Sequence, residues 1–119
     1  MRTLTFGNHV IGDGHPTYIV AEIGINHNGS LDTARRLIDA AANAKCDAVK
    51  FQKRTPELCV PPQQRNQMRD TPWGVMSYLD YRHRMEFGVQ EYEFLLEHCR
   101  TLGAHAKGCW AVDLLLQKG

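Results

Sequence analysis

Residues 17–52 read TYIVAEIGINHNGSLDTARRLIDAAANAKCDAVKFQ, and this stretch decides the fold class. It opens on Thr17-Tyr18-Ile19-Val20-Ala21, a β-branched, apolar run without alternation. That is the pattern of a strand buried on both faces, as in a parallel sheet. A polar, glycine-punctuated stretch follows, Glu22-Ile23-Gly24-Ile25-Asn26-His27-Asn28-Gly29. Ser30 then offers a helix cap, with Asp32 and Thr33 in the first turn. Leu31, Ala34, Leu37, Ile38, Ala41 and Ala42 recur at helical spacing while Arg35, Arg36 and Asp39 fall elsewhere, which predicts an amphipathic helix. Residues 46–52, CDAVKFQ, form a second compact strand. Strand, polar loop, helix and strand make a βαβ unit with a right-handed crossover, so the class is α/β with a parallel sheet.

Upstream, residues 1–16 read as a hairpin: RTLTF, a turn at Gly7-Asn8-His9, then VIG and the breakers Asp13-Gly14-His15-Pro16. Downstream the periodicity weakens over residues 53–88, interrupted by Pro56, Pro61, Pro62 and Pro72. A connection of that length is expected to be functional or to carry short helices. Arg82 and Arg84 in it are expected to be solvated or paired with Asp80 and Glu86. A second helix is predicted over residues 89–102, with Tyr92, Leu95, Leu96 and Cys99 on one face and Gly103 at its end. A third strand is expected at Ala104-His105-Ala106-Lys107-Gly108, although it has no β-branched residue. Val112, Leu114, Leu115 and Leu116 read as the start of a third helix. Two β/α units and part of a third do not close a sheet, so the expectation is a truncated N-terminal portion of a larger domain.

Composition excludes several classes. The net charge of +1 gives no field that would favour nucleic acid or an anionic membrane. No apolar run reaches the roughly 18–20 residues needed to span a bilayer. The opening MRTLTFGNHVIGDG lacks the apolar centre of a signal peptide, so a cytoplasmic location is expected. Cys46, Cys59, Cys99 and Cys109 show no C-x-x-C pairing and are read as thiols in or near the core. His9, His15, His83, His98 and His105 have no metal-ligand spacing and are assigned to packing or the surface.

Chemistry belongs at the C-terminal ends of parallel strands. The first strand runs into Glu22, followed by Asn26, His27 and Asn28; the second carries Lys50 and Gln52, two apart and therefore on one side. A lysine beside a carboxylate there suits the carboxylate or phosphate of a small acid. The alternative for the same two residues is a purely structural Lys50–Glu22 salt bridge. For His27 the alternative is a loop or turn histidine, and for Asn26 the satisfaction of loop backbone groups. Spacing does not choose between these readings.

The string AEIGINHNG at 21–29, followed one helix later by DAVKFQ at 47–52, resembles the opening of the N-acetylneuraminate (sialic acid) synthase family. KRTPE at 53–57, TPWGVM at 71–76, YLDYR at 78–82 and EFG at 86–88 resemble one bacterial branch of it. The resemblance implies that residues 1–119 are the N-terminal part of a (β/α)8 TIM barrel, with residues 1–16 as the hairpin, residues 17–119 as the first β/α units, and a C-terminal antifreeze-like domain absent from them. It implies condensation of phosphoenolpyruvate with an N-acetylated amino sugar, N-acetylmannosamine or a related hexose, to give a nonulosonic acid and phosphate. It also implies a homodimer and a divalent metal, Mn2+ or Mg2+, whose ligands lie beyond Gly119. By position, Glu22 matches the catalytic carboxylate, Lys50 the phosphoenolpyruvate-binding lysine and Gln52 a polar group near the substrates. Asn26 and His27 fall in the same motif as substrate-binding candidates. The competing expectation is a catalytically inactive remnant serving as an interaction or phosphate-binding module.

Overall fold

In the computed structural model, which describes residues 2–6, 9–105 and 111–117 (backbone alone at 6, 103–105 and 111–117), the predicted βαβ unit is present. Strands β1 (Thr3–Phe6) and β2 (His9–Gly12) pair antiparallel as the expected N-terminal hairpin; Gly7 and Asn8 of its turn lie outside the described residues. Strand β3 spans Val20–Gly24, helix α1 Leu31–Asn43 and strand β4 Ala48–Arg54. β3 begins later than the apolar run because Ile19 is used as a staple. Its N–H donates to the Asp47 carboxylate at 2.7 Å, and its carbonyl accepts from the N–H groups of Asp47 and Ala48. Pairing with β4 is parallel, Val20 opposite Ala48 and Glu22 opposite Lys50.

Helix α1 begins where its cap predicts, the Ser30 hydroxyl accepting the Thr33 N–H at 3.2 Å. It buries Ala34, Ile38, Ala41 and Ala42, a stripe whose three alanines let the helix axis approach the sheet closely. Opposite them lie Ile23 of β3 and Val49 and Phe51 of β4, and the core is completed by Phe87, Tyr92, Leu95 and Cys99. The last three belong to helix α4, Val89–His105, which extends past the stop expected at Gly103. Full burial of side chains such as Ile38, Phe51 and Leu95 stabilises by roughly 2 kcal/mol each. Cys46 and Cys59 are partly buried and Cys99 is buried; Cys109 lies outside the described residues.

The tail departs from expectation. Ala104 and His105 continue α4, residues 106–108 lie outside the described residues, and the third strand is β7, Ala111–Gln117. The segment read as a helix start is therefore a strand, parallel to β4 with Val49 opposite Val112 and Phe51 opposite Leu114. A short, largely apolar segment such as AVDLLLQ is ambiguous by periodicity alone. The open edge of β4, whose backbone groups need partners, decides the outcome. Among the described residues the main sheet is open, in the order β3–β4–β7.

The weakly periodic segment carries α2 (Pro56–Cys59), a 3-10 turn at Pro62–Gln64, strands β5 (Met68–Thr71) and β6 (Gly74–Ser77), and α3 (Tyr78–Arg84). Short helices were expected there and the antiparallel β5–β6 hairpin was not. Its signal is Thr71-Pro72-Trp73-Gly74, with proline and glycine where a tight turn uses them. The Thr71 hydroxyl fixes this turn, accepting the Trp73 N–H and donating to the Gly74 carbonyl at 2.6 Å. Arg84 lies over the Trp73 ring at 4.9 Å and Arg82 is buried, while Glu86 pairs with Lys53 and not with either arginine. Among the described residues no helix is long and apolar enough to cross a membrane.

Candidate active site

β4 alternates: Val49 and Phe51 point into the helix-covered core, so Lys50 and Gln52 point to the opposite face of the sheet. In register with Lys50 on β3 is Glu22, and Lys50 Nζ stands 3.3 Å from Glu22 Oε2. The side chains are 30% and 47% exposed, open enough to meet a solute. Gly24 closes the group. The ladder shifts between Glu22 and Gly24, and Gly24 adopts φ +57° as β3 leaves the sheet. A Cβ there would lie 3.2 Å from Glu22 Oε1 and 3.7 Å from Gln52 Nε2, so both side chains converge on the glycine. The structure thus brings together Glu22, Lys50 and Gln52, a carboxylate, an ammonium and an amide on one face of adjacent parallel strands.

Asn26 and His27 are placed differently. The loop after β3 is a run of turns, with N–H groups of Asn26, Asn28 and Ser30 donating to the carbonyls three residues back. Asn26 is exposed, whereas His27 is 1% exposed and stacks on Phe87 with ring centroids 4.1 Å apart. The Gly29 N–H donates to His27 Nδ1 at 3.0 Å, which puts the ring proton on Nε2. Nε2 is buried without a partner among the described residues. His27 therefore braces the loop from beneath.

Burial pushes the His27 pKa down to about 4. A folded-state value below the unfolded one means that the unfolded chain binds the extra proton first. The stabilisation from a neutral His27 is complete above pH 6.5 and is lost as pH falls from about 6.5 to about 4. The loss is on the order of a few kcal/mol, bounded at roughly 3 kcal/mol by the full displacement. In the complete gene product, Tm should fall over this window, and His27→Gln should flatten that fall. An equal fall in the variant would remove His27 as its cause.

Other histidines make local pairs, His98 Nε2 with Asp39 at 2.6 Å and His83 Nε2 with Glu57 at 2.5 Å. Among the described residues no group of three or more His, Cys, Asp or Glu side chains could hold a metal ion.

With this geometry in hand, the sequence pattern of the NeuB family matches residues 37–108, more than half of the chain. The chain belongs to the NeuB family. Among curated relatives of this NeuB-family chain, the mouse N-acetylneuraminate-9-phosphate synthase is 33% identical over 95 residues, covering 78% of the chain and 26% of that protein. The N,N'-diacetyllegionaminic acid synthase of Campylobacter jejuni is 33% identical over 93 residues, again with 78% and 26% covered. The chain thus spans about a quarter of the length of these two relatives. A solved N-acetylneuraminic acid synthetase from Leptospira borgpetersenii, in complex with citrate, superposes with a TM-score of 0.69 at 28% identity, covering 97% of this chain and 33% of that one. The mixed α/β arrangement of this chain is similar to that of the solved synthetase.

Sequence reasoning named Glu22, Lys50 and Gln52, but read Glu86 as a partner of the nearby arginines, Phe87 only within the EFG motif and Tyr92 only as part of a helix face, and not as residues that hold β4. Glu86 Oε2 accepts from Lys53 Nζ at 3.1 Å and from the Arg54 N–H at 3.2 Å, and Tyr92 Oη donates to the Gln52 carbonyl at 3.2 Å. These partners lie 32 to 40 residues apart in the chain, beyond the reach of any local pattern.

Proposed function

We propose that the complete gene product containing these residues condenses phosphoenolpyruvate with an N-acetylated amino sugar, giving a nonulosonic acid and phosphate. One observation carries the reading: Lys50 and Glu22 meet at 3.3 Å, with Gln52 beside them, on the face of adjacent parallel strands opposite the helix-covered core. The reaction has two demands that these groups meet. Phosphoenolpyruvate brings a carboxylate and a phosphate into one site, and the Lys50 ammonium offsets that charge. C3 of the enolpyruvate forms a bond to the sugar aldehyde carbon, water adds at C2, and the C2–O bond to phosphate breaks. Glu22, able to accept a hydrogen bond from that water, orients it and takes its proton. Gln52 supplies a donor and an acceptor to a substrate hydroxyl or carboxylate. Asn26 is an exposed polar side chain of the adjacent loop, available to the sugar, and His27 supports that loop.

In this reading residues 17–119 are the first β/α units of a TIM barrel and residues 1–16 the hairpin preceding it. The antifreeze-like domain lies outside these residues, and the enzyme works in the cytoplasm as a homodimer. A divalent cation, Mn2+ or Mg2+, held by residues outside this chain, supplies Lewis acidity toward the aldehyde oxygen. The test is an assay of the complete gene product with Mn2+ and phosphoenolpyruvate. The sugar panel is N-acetylmannosamine, its 6-phosphate and a 2,4-diacetamido hexose. Phosphate release that requires one sugar and matches formation of an adduct of the expected mass is the predicted result. No sugar-dependent release across the panel would refute the reading, and the sugar that works identifies the product.

A further inference from the structure

We infer that Glu86, from the connection between α3 and α4, and Tyr92, from the first turn of α4, are positioning residues that set the part of β4 carrying Lys50 and Gln52. The inference rests on the reading of Glu22, Lys50 and Gln52 as the substrate site. Its starting point is a gap in the sheet. β3 partners β4 only as far as Phe51, where Gly24 turns the chain away, while β4 continues to Arg54. In a strand the backbone groups of residues 52 and 54 face the same side. Here the Gln52 carbonyl and the Arg54 N–H are taken by side chains, Tyr92 Oη at 3.2 Å and Glu86 Oε2 at 3.2 Å. These two bonds hold the backbone of β4 beyond its last pairing with β3.

The Glu86 side chain is 8% exposed, so its charge must be matched within the protein. Lys53 Nζ does so at 3.1 Å and donates also to the Arg54 carbonyl at 3.2 Å, closing a ring of bonds around the strand end. The next residue, Phe87, stacks on His27 in the loop that follows Glu22. Phe87 and Phe51 each meet the Tyr92 ring edge-to-face, with centroids 5.8 and 6.0 Å apart. The α3–α4 connection and the first turn of α4 therefore hold both halves of the site: Phe87 the loop after β3, Glu86 and Tyr92 the end of β4. Gln52 and, two residues back, Lys50 are aimed by it, although neither Glu86 nor Tyr92 contacts their side chains in any bond described.

The experiment uses the complete gene product and compares Glu86→Gln, Tyr92→Phe and Lys50→Ala with the wild type. It measures kcat, the KM for phosphoenolpyruvate and the thermally folded fraction. Glu86→Gln removes the charge that holds Lys53, and Tyr92→Phe removes only the hydroxyl, so the second variant folds even if the first does not. The expected result is a KM for phosphoenolpyruvate raised about tenfold by Glu86→Gln and about threefold by Tyr92→Phe, with kcat of the folded enzyme within about threefold of the wild type. Activity that falls only in proportion to the folded fraction, at unchanged KM, would assign the pair a structural role and overturn the inference. Wild-type KM values in both variants beside an inactive Lys50→Ala would overturn it as well. A Lys50→Ala enzyme as active as the wild type would instead sink the site reading beneath it.

Discussion

Replacing Lys50 with Ala in the complete gene product is expected to lower kcat/KM for condensation by about a thousandfold while leaving the fold intact, and Glu22→Gln to do the same. The magnitudes separate the two readings of this pair. As a structural salt bridge, a pair 30% and 47% exposed is worth at most about 1 kcal/mol and is screened further by salt. As a substrate site, Lys50 faces two anionic groups of one ligand, and the loss of a preorganised charge at such a position typically costs about 100- to 1000-fold. The variant should thus unfold within a few degrees of the wild type and fail as a catalyst. Because Gln keeps the shape of Glu22 and can still accept a hydrogen bond but cannot take a proton, its loss should fall mainly on kcat. Near-normal turnover by both variants would return the pair to the structural reading, and loss of thermal stability in step with activity would do the same.

Gly29→Ala is expected to destabilise the protein by about 3 kcal/mol or more. Gly29 adopts φ +73°, and a Cβ on it would stand 2.2 Å from the Arg84 carbonyl oxygen, a backbone atom that cannot swing aside. The conformational part of that cost is only about 1–2 kcal/mol. Gly74 provides the comparison: its φ is +105°, but a Cβ there would meet nothing within 4 Å. Gly74→Ala should therefore show the backbone penalty alone. Chemical denaturation of the two variants measures the difference. Equal losses would mean that Gly29 is required only for its backbone angle, and that its packing against the end of α3 is dispensable.

The βαβ unit was legible because each of its signals is local. Ser30 caps α1, the stripe from Ala34 to Ala42 is periodic, and Lys50 and Gln52 share a side through the two-residue repeat of a strand. Pairing Glu22 with Lys50 needed only the register of two strands joined by one helix. The hairpin of β5 and β6 was hidden by prolines and dense charge around a turn only four residues long. The segment 111–117 read as helix because leucines carry no strand preference of their own. The unpaired edge of β4 makes it a strand.

The sequence by itself determined which face of β4 is polar, where α1 starts and which family the motifs resemble, since each depends on residues within a few turns of one another. Only the tertiary structure decided that His27 is buried beneath its loop, and that Glu86 and Tyr92 bond the backbone of β4 beyond its last pairing with β3. Those outcomes depend on which backbone groups are left without partners once the sheet has formed. Cooperative packing supplies the missing partners from 32 to 40 residues away, where no periodicity in the chain can announce them.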